Sequence, residues 1–258
     1  FPTRRSSDLA SSIDGRFARV QGTVDLRPAY GRGTTIGRAS TETFEFHPGP
    51  IFANVVLVDE LNRTTPKTQS GLLEAMAELQ VTVEGKAHQL PRPFTVIATQ
   101  NPTAGFDGTY ALPPAQLDRF MTRLSLGYPS AAAEADLLAS PPAPALPTVA
   151  ALDEVAEAVA AVAAVEARRP LLEYVVAILD ATRRHPLSEA GASPRGGLML
   201  LAAARAHAAL QGRDFVVPDD IQALAGPVLA HRIQTVPEAA AGAQATVVED
   251  ALGEVPAR

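Results

Sequence analysis

The sequence predicts an α/β domain with a parallel sheet, followed by an all-α domain. Two apolar runs, Val55–Val58 and Phe94–Thr99, have the length and the polar flanks of buried strands in a parallel sheet. From Leu152 onward every segment has helical periodicity instead. The Pro-rich run Ser140–Pro147 between them is typical of a semi-rigid spacer. We therefore expect an unrelated leader over residues 1–8, an α/β core over 9–129, a linker region over 130–150 and a helical domain over 151–258.

The composition excludes several classes of function. The chain has no cysteine, so disulfides and Cys-based zinc or redox sites are excluded. Its net charge of -6 provides no basic field for nucleic acid or an anionic membrane. No apolar run approaches membrane-spanning length, and no secretory signal pattern opens the sequence. We expect a cytoplasmic protein that binds neither nucleic acid nor a membrane.

Local patterns predict the other elements of the α/β core. Phe17–Gly22 has the pattern of a strand, whereas Thr23–Ser40 is rich in Gly, Arg and Thr and is typical of a loop. Thr43–Pro50 alternates and then turns, as a short strand does. Pro66 stands at the first position of a helix with apolar side chains at helical spacing. Arg123–Pro129 has the pattern of the last strand of the sheet.

A hairpin and three helices complete the prediction. Two short runs, Val81–Val83 and His88–Leu90, flank a Gly-containing turn and indicate a hairpin. In the helical domain, Ser193-Pro194-Arg195 supplies a cap, a Pro and an Arg at the start of one helix. Three apolar stripes indicate helices: Leu172, Val175, Val176 and Leu179; Leu198, Leu201 and Ala202; Ile221, Leu224, Ala225 and Val228.

The first apolar run ends abruptly in two carboxylates, Asp59 and Glu60. Open α/β sheets bind ligands at the carboxyl ends of their strands, so this pair would stand where a ligand sits. One carboxylate could hold Mg²⁺ through water, and its neighbour could orient or deprotonate an attacking water. The alternative is that the pair is only the polar start of a loop.

The second run also ends in a polar tip, with Asn101, and a short Pro-initiated helix with Arg119 near its end follows. An acidic strand tip, a strand that ends in Asn and a helix that ends in Arg stand in the order found in an AAA+ ATPase. From about Leu9 to the end, the sequence closely resembles the MoxR family of AAA+ ATPases. The matching motifs are Asp59-Glu60-Leu61-Asn62-Arg63, Pro66-Lys67-Thr68-Gln69, Ala98-Thr99-Gln100-Asn101-Pro102 and Gln116-Leu117-Asp118-Arg119-Phe120.

The resemblance implies ATP and Mg²⁺ as cofactors and assigns a role to each matching residue. Asp59 would hold Mg²⁺ through its waters, and Glu60 would be the general base. Asn101 would be the sensor-1 residue, which donates a hydrogen bond to the γ-phosphate and to water. Arg119 would be the arginine finger that acts on a neighbouring subunit's nucleotide. Arg195 would be sensor 2, a lid residue that reaches back to the phosphates.

Each of these residues also has a purely structural interpretation. Asn101 could shape a turn before Pro102. Arg119 could form a local ion pair with Asp118. Arg195 could be solvent-exposed, although an Arg at a helix N-terminus opposes the helix dipole, which favours a functional placement.

The phosphate-binding loop of the family has no counterpart in this sequence. No Gly-x-x-x-x-Gly-Lys-Ser/Thr motif is present, and the only lysines are Lys67 and Lys86. Counting back along the family pattern places the missing lysine near Pro2. The subunit has either lost the loop, or the sequence is truncated and capped by foreign residues; we expect truncation. The sequence of Leu26–Gly33 also differs from that of the family. By resemblance, Thr43–Pro50 corresponds to the helix-2 insert of the family and Val81–Leu90 to its pre-sensor hairpin.

An arginine finger that acts on a neighbouring subunit requires an oligomer with a head-to-tail interface, and such interfaces can close into rings. The resemblance implies a ring homo-oligomer, for which six subunits are usual, and a client protein such as a von Willebrand factor A domain protein. Two alternatives stay open. One is a non-hydrolysing ring subunit or scaffold, which the absent phosphate loop favours. The other is a magnesium-chelatase-like motor subunit, which is disfavoured because the sequence around Arg119 is closer to that of the MoxR family.

Overall fold

A computed structural model describes residues 8, 11–38, 43–100, 109–139 and 146–257. The strands are β1 (Ile13–Asp14), β2 (Phe17–Gln21), β3 (Thr34–Arg38), β4 (Thr43–His47), β5 (Val55–Asp59), β6 (Gln80–Val83), β7 (Lys86–Gln89), β8 (Thr95–Ala98), β9 (Ala150–Ala151), β10 (Ser188–Ala190) and β11 (Gln234–Thr235). The helices are α1 (Pro28–Arg32), α2 (Pro66–Glu78), α3 (Pro114–Leu117), α4 (Ala131–Ala139), α5 (Leu152–Ala163), α6 (Arg169–Arg184), α7 (Pro194–Leu210), α8 (Pro218–Leu229) and α9 (Ala243–Glu254).

The chain divides into two compact units. The first contains Phe1–Leu112 and Leu126–Ala156, and the second contains Pro113–Ser125 and Glu157–Arg258. The short segment around α3 is therefore grouped with the helical region of the chain, which local sequence patterns do not reveal. The predicted domain boundaries themselves stay a prediction.

A parallel three-stranded sheet in the order β2-β5-β8 organises the first unit. Every residue of β5 is buried, and Leu57 has no exposed surface. A strand buried on both faces has no need of alternating polar residues, which explains the continuous apolar run. The predicted parallel sheet and its two apolar strands are thus confirmed, as is the strand predicted at Phe17–Gly22.

Two antiparallel hairpins, β3–β4 and β6–β7, accompany the sheet. The turn of the second is formed by Glu84 and Gly85, both with positive φ, of 50° and 77°. Two such residues give a turn whose twist matches that of the strands. The predicted hairpin is confirmed, with a turn shorter than expected. The rings of Phe46 and His88 stack at a centroid distance of 3.7 Å and connect the two hairpins.

Two sequence predictions for the first unit are wrong. Thr23–Ser40 is not a loop throughout, because it contains α1 and β3. Strand β3 forms through its pairing with β4, a partner that local composition does not show. The segment Arg123–Pro129 forms no strand and is exposed along its length. The Arg123 N–H instead donates to the Pro227 carbonyl at 2.9 Å, within the second unit.

Helices α6, α7, α8 and α9 pack around the core of the second unit. Side chains from all four helices have no exposed surface, among them Ile178, Leu200, Ile221 and Val247. The prediction that every segment here is helical needs one correction, since β10 and β11 form a small antiparallel pair. Within the part of the chain that the structure describes, no helix has both the length and the apolar character needed to cross a bilayer.

The predicted faces of two helices are partly wrong. Val176 is 59% exposed and Leu198 is 71% exposed, although both were placed in apolar stripes. The buried faces of α6 and α7 run instead through side chains such as Ile178 and Leu200. Both helices carry apolar residues on several faces, so spacing alone does not fix which face turns inward. The stripe predicted for α8 is confirmed by its buried residue Ile221 and its neighbours along the helix.

A buried carboxylate stabilises the start of α8. Asp220 is almost fully buried and accepts hydrogen bonds from Arg213 Nη2 at 2.6 Å, Arg213 Nη1 at 2.8 Å, the Val217 N–H at 2.9 Å and His207 Nδ1 at 2.7 Å. Burial alone would raise the pKa of Asp220. The hydrogen bonds from Arg213, Val217 and His207 outweigh it and lower that pKa from 3.8 to about 2.

We expect the second unit to lose stability in acid because of Asp220. Its folded-state pKa is below the ordinary value, so the stabilisation is complete above pH ~4 and is lost as the pH falls through 2. The loss should be on the order of 2 kcal/mol in the free energy of unfolding, and Asp220→Asn should lack this pH dependence. Urea unfolding followed by circular dichroism between pH 5 and pH 2 measures both.

The neighbouring exposed acid provides the control, since Asp219→Asn should retain the wild-type pH dependence. An Asp220→Asn variant that loses stability in acid as steeply as wild type would contradict the assignment.

Candidate functional site

The carboxyl ends of β2, β5 and β8 meet at one edge of the sheet. Gln21 lies opposite Asp59 in the parallel register, and Val58 lies opposite Ala98. Asp59 is the last residue of β5, and Glu60 follows it directly. The sheet therefore brings the predicted acidic pair to the edge where open α/β sheets bind ligands.

The Asp59 carboxylate is buried, with 3% of the residue exposed. Its Oδ2 accepts a hydrogen bond from Arg19 Nε at 2.7 Å, and its Oδ1 accepts one from the Thr99 hydroxyl at 3.3 Å. A buried carboxylate needs such partners, because an isolated charge in the interior is costly. Asp59 is thus a buried carboxylate held by two polar side chains, which the loop interpretation of the acidic pair does not predict.

Glu60 adopts a left-handed backbone conformation, with φ 52° and ψ 47°. Its N–H donates to the Thr99 hydroxyl oxygen at 2.9 Å, which holds this conformation in place. Its carboxylate Oε2 accepts hydrogen bonds from Gln21 Nε2 at 3.2 Å and Arg63 Nη1 at 3.0 Å. Non-glycine residues adopt this conformation at a cost, and such residues cluster at functional sites.

Gly22 permits the close approach of β2 to this acidic turn. Its N–H donates to the Asp59 carbonyl at 2.7 Å. A Cβ on Gly22 would lie 2.3 Å from the Glu60 carbonyl oxygen and 2.7 Å from that of Asp59. Both obstacles are backbone atoms, so neither can rotate away.

The oxygen-rich end of β5 fits a magnesium ion that is bound through water. Each Asp59 oxygen has one hydrogen-bond partner among the described residues, and a carboxylate oxygen accepts two. Hard cations such as Mg²⁺ prefer oxygen ligands and usually keep several waters. Among the described residues there is no cluster of three or more acids and histidines that could hold a metal without such waters.

The predicted sensor residue Asn101 lies outside the described residues, so its position stays a prediction. The strand that leads to it is present, since β8 pairs with β5 and ends at Ala98. The Thr99 N–H continues this ladder by donating to the Val58 carbonyl at 2.9 Å.

Arg119 and Arg195 both lie in the second unit, Arg119 directly after Asp118 in the sequence and Arg195 with its Nη1 3.8 Å from Asp118 Oδ2. Helix α3 has only four residues, and Arg119 stands in the turn that follows it. Arg119 forms no ion pair with any residue that the structure describes, and its Nε is buried without a hydrogen-bond partner there. The alternative in which Asp118 neutralises Arg119 is therefore not observed. Asp118 pairs instead with Arg232 Nη1 at 2.8 Å.

Arg195 lies in the first turn of α7, as predicted. The Ser193 hydroxyl caps this helix by accepting from the Gly196 N–H at 3.2 Å, and Pro194 takes the first helical position. The Arg195 side chain is 50% exposed, and its Nη1 lies 3.8 Å from Asp118 Oδ2. An exposed guanidinium with one distant partner is available to bind an anion.

His231 is buried and contacts the segment that follows Arg119. Its Nε2–H donates to the Phe120 carbonyl at 3.1 Å, and its Nδ1 is buried without a partner among the described residues. Burial lowers the pKa of His231, and the cations Arg232 and Arg123 lower it further.

Sequence reasoning missed the residues that hold the predicted ones in place. Arg19 and Gln21 alternate on β2 and so share one face of the strand, which is the only local signal that the sequence offers for them. Asp118 and Arg232 are far apart in the sequence and carry no local signal of their pairing. Both residues lie in segments whose sequence resembles that of the MoxR family, but the resemblance assigns them no role.

Comparison with known proteins defines the class of this fold and site. A sequence model of the ATPase family associated with various cellular activities (AAA) matches residues 2–122, and a model of the AAA lid domain matches residues 180–251. A candidate ATPase from Cytophaga hutchinsonii superposes with a TM-score of 0.89 at 34% identity, over 99% of this chain and 82% of that one. The protein is thus an AAA-type ATPase domain with its lid.

Curated relatives identify the family more closely. Chaperone MoxR1 of Mycobacterium tuberculosis is 38% identical over 239 residues, which are 87% of this chain and 62% of that protein. Protein MoxR of Methylorubrum extorquens is 31% identical, over 87% of this chain and 73% of its own length. The uncharacterized protein YeaC of Bacillus subtilis is 49% identical over 90% of this chain and 73% of its own length. The chain belongs to the MoxR family of AAA+ ATPases, as its motifs predict.

We expect Gly22→Ala to destabilise the first unit. The new Cβ would overlap the backbone of the acidic turn, and overpacking of this kind costs about 1–3 kcal/mol in the free energy of unfolding. Gly31→Ala is the matched control, since a Cβ at Gly31 in α1 meets no atom within 4 Å. Urea unfolding of both variants makes the comparison. Equal stability of the two variants would contradict the close approach.

Proposed function

We propose that this chain is the ATP-hydrolysing module of a MoxR-like protein and that hydrolysis drives chaperone-like remodelling or activation of a client protein. The observation that carries the proposal is the acidic tip of β5, where buried Asp59 and left-handed Glu60 stand side by side at the carboxyl edge of a parallel sheet. Membership of a family of ATPases supports the same reaction class.

The two carboxylates have separate roles because their environments differ. Asp59 is buried and fixed by Arg19 and Thr99, so it would hold waters of a magnesium ion in a constant place. When bound, Mg²⁺ would neutralise the negative charge that develops on the phosphates during hydrolysis. Glu60 is partly exposed and is oriented by Gln21 and Arg63. We propose that Glu60 acts as a general base, which accepts the proton of the attacking water.

Three further residues complete the proposed machinery. Asn101 would donate a hydrogen bond to the γ-phosphate and orient the attacking water. Arg195, exposed and next to a helix N-terminus, would bind the phosphates of its own subunit's nucleotide. Arg119 would neutralise transition-state charge on the nucleotide of a neighbouring subunit, an effect worth ~10³–10⁵-fold in kcat for arginine fingers in general.

The finger role of Arg119 requires self-association, for which we propose a ring homo-oligomer, a hexamer as is usual for AAA+ proteins. A relative named as a chaperone supports a client-remodelling role for the ring. We propose a protein client with a von Willebrand factor A domain and a cytoplasmic location for the reaction. The hairpin β6–β7 would be the pre-sensor hairpin that projects toward the ring pore.

Calorimetric titration with Mg-ATP tests the proposal. This chain would be compared with the full-length product of the re-sequenced gene, because residues 1–258 contain no Gly-x-x-x-x-Gly-Lys-Ser/Thr motif. We expect the full-length protein to bind and hydrolyse ATP and this chain to bind much more weakly. Failure of the full-length protein to bind nucleotide would overturn the ATPase proposal and leave a non-hydrolysing ring subunit or scaffold.

We expect Glu60→Gln in the full-length protein to lose hydrolysis but keep ATP binding. Removal of a general base costs ~10²–10⁴-fold in kcat, whereas the Gln amide leaves the size of the side chain unchanged. Phosphate release and calorimetry measure the two quantities separately. Glu157→Gln on the exposed surface of α5 serves as the control and should match wild type in both. Wild-type turnover in Glu60→Gln would contradict the assigned role.

A further inference from the structure

A buried guanidinium holds the backbone that carries Arg119. The side chain of Arg232 is only 1% exposed. It donates hydrogen bonds from Nε to the Val228 carbonyl at 2.7 Å, from Nη1 to the Asp118 carbonyl at 2.6 Å and Asp118 Oδ1 at 2.8 Å, and from Nη2 to the Phe120 carbonyl at 2.6 Å and the Met121 carbonyl at 3.3 Å. A single side chain therefore holds the carbonyls on both sides of Arg119.

The chemistry of this guanidinium makes the contact specific. Its planar fork fixes the directions of several acceptors at once, which the compact ammonium of a lysine does not. Burial lowers the pKa of Arg232, and the Asp118 carboxylate opposes that shift. Removing one partner of a buried ion pair leaves an uncompensated charge, so Asp118 and Arg232 depend on each other.

Asp118 extends the contact to the start of α7. Its Oδ1 accepts a hydrogen bond from the Ser193 hydroxyl at 3.1 Å, and its Oδ2 lies 3.8 Å from Arg195 Nη1. The same Ser193 hydroxyl caps the helix through the Gly196 N–H. A Cβ on Gly196 would lie 3.0 Å from Arg232 Cδ, so the first turn of α7 closely approaches Arg232.

We propose that Arg232 and Asp118 are positioning residues that hold the finger Arg119 and the sensor Arg195 in one rigid cluster. The proposal rests on the roles proposed above for those two arginines. Arg195 would contact the nucleotide of its own subunit and Arg119 that of the neighbour. A displacement of Arg195 by phosphate would therefore reach the backbone of Arg119 through the Asp118 carboxylate and the Arg232 guanidinium, and the cluster would couple successive nucleotide sites around the ring.

Kinetics of the full-length protein test the positioning role. Asp118→Asn and Arg232→Lys should lower kcat by ~10–100-fold, since small misplacements of a catalytic group have effects of this size. The KM for ATP should rise no further than it does in Arg195→Ala, because the finger Arg119 acts in the transition state and only Arg195 is proposed to contact the subunit's own nucleotide. Each variant is also combined with the pair Arg119→Ala and Arg195→Ala. The combined variants should be no slower than that pair alone, since the cluster acts through these two arginines.

A second buried ion pair in the same unit offers a matched control. Asp220→Asn removes a carboxylate whose hydrogen-bond partners among the described residues, Arg213, His207 and Val217, do not belong to the cluster. It should lower the melting temperature as Asp118→Asn does and leave kcat unchanged. If Arg232→Lys does not fold, Asp118→Asn decides the question.

Hydrogen exchange of the nucleotide-free protein tests the coupling without relying on hydrolysis. Asp118→Asn should speed amide exchange in two segments, 119–123 and the start of α7 at Gly196–Gly197. Asp220→Asn should leave both segments as they are in wild type. This measurement still decides on the cluster if the wild-type protein proves unable to hydrolyse ATP, which would overturn only the proposed function.

Three results would overturn the cluster. The first is a kcat for Asp118→Asn that is no lower than that of Asp220→Asn. The second is an effect that multiplies with that of the pair Arg119→Ala and Arg195→Ala in the combined variant. The third is faster exchange in only one of the two segments.

Discussion

An aspartate–arginine pair with one buried partner holds the backbone next to a proposed catalytic residue in each unit. In the first unit Arg19 pairs with Asp59 at the tip of the central strand. In the second unit Arg232 pairs with Asp118. Charges removed from water need fixed partners, so each pair determines the position of the backbone around it. The proposed catalytic residues flank these two aspartates in sequence, at Glu60 and Arg119.

The difference between the two pairs lies in how much solvent reaches the arginine. The side chain of Arg19 is 56% exposed, whereas that of Arg232 is 1% exposed. A partly solvated guanidinium can exchange its partner for water at modest cost, because exposed ion pairs contribute little. The Asp59 pair is therefore suited to a site that must admit a ligand. The Asp118 pair is suited to a fixed structural cluster.

Local sequence signals predicted those parts of the structure that depend on local physics. Continuous apolar runs predict β5 and β8. The position of the acidic pair at the edge of the sheet is also predictable, because the pair directly follows the end of the β5 run. The prediction of Thr23–Ser40 as a loop was wrong because β3 exists only through pairing with β4. Arg19, Asp118 and Arg232 were missed for the same reason, since their partners lie tens of residues away in sequence. The predicted buried face of α7 is wrong at Leu198, because this helix carries apolar residues on several faces.

The Thr99 hydroxyl serves both catalytic candidates at the tip of the sheet with a single proton. It donates that proton to Asp59 and accepts the N–H of Glu60, so the three groups form a chain of fixed direction. Because one oxygen takes part in both hydrogen bonds, a shift of Thr99, the residue directly after β8, would disturb both acidic residues at once. The strand that leads toward Asn101 therefore keeps the two carboxylates in register with each other.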